Sequence, residues 1–188
     1  MRGHTKVTKA KSREPLGEAA LFEYAVGALA RRMRTERELR RLLQPRAEGS
    51  ERGGRISSAR PAAGTVDAVV RRLKEMNYLS DARFAADYTR LRKENEKFGR
   101  RRVEQDLAAK GVARGLVAAH VGEAYAEVDE PALAREYIAR KRMRRPESEK
   151  ESARTMGQLL RAGFSAAAVW KVLREWGIAV EEFEVEEG

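Results

Sequence analysis

Apolar residues recur along this chain in steps of three and four, and nowhere in sustained alternation. Val66, Val69, Val70, Leu73 and Met76 mark one such stripe, which begins at Thr65. Phe22, Ala25, Val26 and Leu29 mark an earlier one, expected from about Pro15, a residue suited to a first helical turn. At "TEREL" a helix restarts: Thr35 and Glu38 have capping-box spacing, with Leu39, Leu42 and Leu43 behind them. Further helices are expected near 80–96, 100–110, 114–126, 130–144, 148–162 and 166–176. The pattern predicts an all-α chain of about nine helices.

The pattern also repeats. "DLAAKGVARGLVAAHV" (106–121) and "QLLRAGFSAAAVWKVL" (158–173) superpose without a gap at an offset of 52, matching Leu107 with Leu159, Gly111 with Gly163 and Val112 with Phe164. In each, a helix is expected to end, a glycine to take the left-handed position, and the next apolar residue to fold back one turn. At an offset of 64, Tyr24 matches Tyr88, Thr35 matches Gly99, Leu39 matches Val103 and Leu43 matches Leu107. The chain thus reads as three tandem three-helix repeats, at 15–79, 80–128 and 129–178, forming an elongated, solenoid-like molecule free to curve. Residues 44–64, rich in Gly, Ser and Pro, read as a flexible insertion in the first repeat. Residues 1–14 read as a disordered basic tail and 179–188 as an acidic, solvated one.

Charge sharpens the choice of partner. Among 188 residues there are 39 Lys+Arg against 29 Asp+Glu, a formal net charge of +10, which favours a polyanion or an acidic protein surface. Cysteine is absent, which excludes disulfides and thiolate metal sites and fits a reducing compartment. No apolar run approaches the roughly 20 residues that span a bilayer, and the opening lacks an apolar signal core. A soluble, cytoplasmic monomer without membrane contact is expected.

Catalysis finds little support. Of the two histidines, His4 lies in the expected tail and His120 is isolated on a helix. No phosphate loop, nucleophile elbow or paired metal ligand is present, so no catalytic residue, metal or cofactor is assigned. Basic clusters recur instead: "RRMR" (31–34), "RRLK" (71–74), "RLRK" (90–93), "GRRR" (99–102) and "RKRMRR" (140–145). Few aromatics interleave with them, so contact along a phosphate backbone or an acidic groove fits better than base stacking. Arg83 and Arg90 have a second reading, as intrahelical partners of Asp87 and Glu94.

The run "YLSDARFAADYTRLRKENEKFGRRRVEQDLAAKGV" resembles the central motif of the RecX family of bacterial regulatory proteins. The matching positions are Asp81, Arg83, Phe84, Ala85, Tyr88, Arg90, Arg92, Gly99, Arg100 to Arg102, Leu107, Lys110, Gly111 and Val112. The likeness extends over about residues 18–177. It implies an all-helical, non-enzymatic regulator of three three-helix repeats. Such a protein binds RecA–DNA filaments, with DNA met as part of the filament, and inhibits RecA's recombinase, ATPase and coprotease activities in DNA repair. Charge clustering and the resemblance together make Arg83, Arg90, Arg92, Arg100, Arg101 and Arg102 the leading contact candidates. Arg31, Arg32, Arg34, Arg71 and Arg72 come next. The alternative is a plain DNA-binding protein acting without RecA.

Overall fold

The computed structural model describes residues 15–48 and 64–178. The expected basic tail, most of the expected insertion and the acidic tail lie outside the described residues. Within them are nine α-helices and no strand: α1 (Glu18–Arg31), α2 (Glu36–Ala47), α3 (Thr65–Glu75), α4 (Asp81–Glu94), α5 (Arg100–Ala109), α6 (Arg114–Tyr125), α7 (Glu130–Arg140), α8 (Glu149–Arg161) and α9 (Ala166–Glu175).

Three boundaries differ from expectation. The helix expected to reach about 144 ends at Arg140, since Arg142 takes a left-handed φ of 50° and Met143 N–H returns to the Ile138 carbonyl at 3.0 Å. The first helix begins at Glu18 rather than near Pro15: Gly17 is its extended N-cap, and Leu16 before it is drawn to α2, its N–H donating to the Arg46 carbonyl at 2.9 Å. The second helix runs to Ala47, into the segment expected to be a loop, with Pro45 inside it. Proline forfeits one helical hydrogen bond. The turn is held by other contacts: Arg46 Nη1 donates to the Leu42 carbonyl (3.2 Å), Glu48 N–H reaches Gln44 (3.1 Å), and Leu43 and Ala47 are buried.

The chain divides at Asp81 into two compact units. In the first, α1, α2 and α3 pack on one another around Leu21, Phe22, Ala25, Leu39, Leu43, Val69, Val70 and Leu73. A complete capping box starts α2: Glu38 N–H donates to Thr35 Oγ1 (3.1 Å) and Thr35 N–H to Glu38 Oε2 (3.4 Å). Asp81 adds a third acceptor there, taking Glu36 N–H at 2.8 Å.

In the second unit α4–α6 and α7–α9 share one core, from Phe84, Val103 and Leu107 through Tyr125 and Tyr137 to Leu159, Phe164 and Leu173. The helix stops obey the predicted chemistry. Gly111 and Gly163 are left-handed (φ 84° and 95°), and the N–H groups of Val112 and Phe164 return to the carbonyls of Leu107 and Leu159.

Gly163 does more than end a helix. A Cβ on it would stand 2.3 Å from Arg102 N, and one on Gly99 would stand 2.3 Å from the Gly163 carbonyl oxygen. With neither present, the two backbones touch. Gly99 N–H donates to Ala162 O (2.9 Å) and Arg101 N–H to Gly163 O (3.3 Å). Gly99 is the N-cap of α5 and offers no capping side chain. The turn between α8 and α9 supplies the acceptors instead.

Alanine at Gly99 or at Gly163 should therefore cost about 2–3 kcal/mol or more in chemical denaturation, since backbone must move. At Gly122, within α6 and with open space around it, alanine should instead stabilise by about 0.5–1 kcal/mol.

Candidate functional site

The end of α4 and the start of α5 hold the arginines expected to make contact, and the structure gathers two of them on one ring. The Arg92 guanidinium lies 4.8 Å from the Tyr88 ring centre and 5.8 Å from that of Phe98. The Arg102 guanidinium lies 5.9 Å from the Phe98 centre on the same cluster. Arg102 Nε also pairs with Asp106 Oδ1 at 3.1 Å, while Asp106 Oδ2 accepts the Tyr88 hydroxyl at 3.1 Å. Phe98 is itself fixed: Tyr125 OH donates to its carbonyl at 2.7 Å, and its ring lies 6.1 Å from that of Tyr137.

The other candidates in this unit are arranged differently. Arg100 pairs with Glu104 at 2.8 Å, one turn on. Arg101 is exposed and has no side-chain partner among the described residues. Arg90 sits between Asp87 (3.5 Å) and Glu94 (3.7 Å), the intrahelical pairing foreseen as its second reading. Such exposed pairs are worth a few tenths of a kcal/mol and leave the arginine available to a stronger anion. Arg83 is exposed in the first turn of α4 and is likewise engaged by neighbouring groups.

In the first unit Arg31 ends α1, Arg32 is the next residue, and Arg34 Nε reaches back to the Ala28 carbonyl at 3.5 Å. These charges lie at a helix C-terminus, where the helix dipole favours them. Arg72 covers the Phe22 ring at 4.3 Å and Arg71 approaches Glu75 at 3.9 Å. Arg71 and Arg72 thus have partners of the same kinds as Arg100 and Arg102, and Arg101 differs from all four in having none among the described residues.

The first turns of α2 and α8 carry two glutamates each, Glu36 and Glu38, Glu149 and Glu151. That of α5 has no acidic residue and three arginines. Positive charge at a helix N-terminus is disfavoured by about 0.3–1 kcal/mol per group when exposed. Here α8 partly offsets it, because its carbonyl end abuts the amide end of α5.

Sequence reasoning did not single out Phe98 or Asp106. Phe98 offered a signal, an aromatic directly before a glycine and between two basic runs. Ion pairs Lys97–Glu136 (2.7 Å) and Arg140–Glu96 (3.9 Å) tie the same connection to α7, and no spacing foretold them. No group of three or more metal-binding side chains occurs among the described residues, nor any helix long and apolar enough to cross a membrane.

The family described as "RecX, second three-helix domain" matches residues 80–120, which hold α4, α5 and the first part of α6. A regulatory protein RecX from Deinococcus radiodurans is 31% identical over 171 residues, covering 88% of this chain and 72% of that protein. The chain belongs to the RecX family. A RecX regulatory protein from Geobacillus kaustophilus is 29% identical over 167 residues, and the chain spans 57% of that relative's length. A crystal structure of RecX from Lactobacillus salivarius superposes with a TM-score of 0.59 over 85% of this chain and 96% of that one, at 16% identity. A second RecX crystal structure reaches 0.64 over 84% of this chain and 73% of that one, at 18% identity. These two likenesses establish a shared all-helical RecX fold.

Burial raises the hydroxyl pKa of Tyr88, Tyr125 and Tyr137, most strongly that of Tyr125. A raised folded-state pKa gives stability that is complete below the unfolded value, about 10. It is lost as pH climbs through the folded values. Ultraviolet titration should show Tyr88, Tyr125 and Tyr137 ionising above pH 10, together with loss of helicity. Tyr125→Phe, which removes the bond to the Phe98 carbonyl, should cost about 1 kcal/mol.

Proposed function

We propose that this protein binds RecA–DNA filaments and inhibits the recombinase, ATPase and coprotease activities of RecA, and so modulates DNA repair and recombination. Membership of a family of regulatory proteins supports this reading. The observation that carries it is the amide end of α5. Three consecutive arginines stand there against the helix dipole, and Arg101 has no side-chain partner among the described residues. An arrangement locally unfavourable in the free protein becomes favourable on meeting an anionic surface. In this reading the protein acts as a cytoplasmic monomer, without chemistry or cofactor of its own. Three three-helix repeats carry its basic faces along the filament.

The second reading is a DNA-binding protein that acts without RecA, favoured by the net charge of +10. The two separate in DNA-stimulated ATP hydrolysis by RecA, titrated with far less than one copy of this protein per RecA. Inhibition at such ratios, unaffected by added free DNA, is expected if the filament is the target. Inhibition only once the DNA is saturated would mean competition for DNA alone. Replacing Arg100, Arg101 and Arg102 together by glutamine should raise the concentration for half-inhibition by about tenfold or more, the equivalent of about 1.4 kcal/mol.

A further inference from the structure

The gathering of arginines does not stop at α5. Arg161 ends α8, two residues before the glycine that touches Arg102. A Cβ on Gly157 would lie 3.2 Å from Arg161 Nη1, so this guanidinium folds back across the bare face its own helix offers one turn earlier. Burial raises the pKa of the Tyr137 hydroxyl, and Gln158, Arg102 and Arg161 each act in the opposite direction. Tyr137 in turn lies beside Phe98, the ring that Arg92 and Arg102 share. Guanidiniums from α4 and α5 thus share the Phe98 ring, and Arg161 lies on α8 two residues before the glycine that touches α5.

Few carboxylates answer them. Both oxygens of Asp106 are committed, one to Arg102 and one to Tyr88, and Glu96 faces Arg140. Ring faces offset some of the repulsion between Arg92 and Arg102, as cation–π contacts do. The excess positive charge remains.

We propose that Arg92, Arg102 and Arg161, near where α5 meets the α8–α9 turn, form a subsite for one phosphodiester of a nucleic-acid backbone. Three planar forks from three helices suit the tetrahedral oxygens of a phosphate, whereas a carboxylate is satisfied by one fork. The rings offer no stacking platform: Arg92 covers Tyr88, which stacks on Phe84, and Tyr137 packs edge-on against Phe164. The contact therefore carries no base preference. This deepens the reading of filament binding and rests on it, since it names the nucleic-acid group this face meets.

The test is fluorescence anisotropy of the full chain with a labelled single-stranded oligonucleotide across a salt series, repeated with its duplex and with a second base composition. Arg102→Gln and Arg161→Gln, each checked for parent-like thermal melting, should each weaken binding several-fold at low salt. Each should also reduce the slope of log affinity against log salt by about 0.7–0.9, the value for one phosphate contact. Arg154→Gln, an exposed arginine elsewhere on α8, should leave the slope unchanged, and base composition should not matter. The proposal is overturned if Arg161→Gln keeps the parent slope, if Arg154→Gln lowers it equally, or if the parent binds neither oligonucleotide. RecA's ATP hydrolysis separates the two readings. An unchanged slope for Arg161→Gln with inhibition by the parent intact would sink the subsite alone. A reduced slope with no inhibition by the parent would sink filament regulation alone.

Discussion

Two backbone carbonyls at the end of α8 take the place of the capping side chains that α5 lacks. In α2 the amides of Thr35 and Glu38 are satisfied locally, each by the other residue's side chain. In α5 the amides of the N-cap, Gly99, and of the second helical residue, Arg101, are satisfied by Ala162 and Gly163, some sixty residues away in sequence. This is possible only because neither Gly99 nor Gly163 has a Cβ to hold the backbones apart. Gly163 is doubly constrained, since its left-handed conformation also ends α8.

Caps borrowed from another helix release the first turn of α5 from the usual demands on its sequence. A capping box requires a hydroxyl at the N-cap and Glu or Gln three residues on. At those places α5 carries Gly99 and Arg102, and its first turn is free to be Arg100, Arg101 and Arg102. The negative end of α8 lowers the cost of that charge without neutralising it. Aromatic faces help to hold Arg92 and Arg102 in place, and Arg102 also pairs with Asp106.

The helices were largely legible in the sequence because each has a clear apolar stripe and local stop signals. The 52-residue offset foretold the paired glycine turns, and the 64-residue offset matched Thr35 with Gly99, which the structure shows to be N-caps of α2 and α5. Where the reading failed, tertiary contacts had overruled local signals. Pro45 and its polar neighbours read as loop, yet Leu16 and Arg46 tie them into α2. Gly163 was legible as a helix stop but not as a partner of Gly99, because close approach of two backbones leaves no periodic trace. The arginine runs were visible as charge. Which of them share a ring depended on Phe98, a residue of the connection between helices.

The most direct test of the borrowed caps is amide hydrogen exchange of Gly99 and Arg101, monitored by NMR in the free protein. Amides at a helix N-terminus normally exchange quickly, lacking acceptors. If the α8 carbonyls hold them, both should be protected to nearly the same degree as the Leu107 amide in the core of the same helix, and Gly163→Ala should abolish that protection. Rapid exchange at Gly99 and Arg101, alongside a protected Leu107, would mean that the end of α5 frays free of the α8–α9 turn, and that its caps are not borrowed at all.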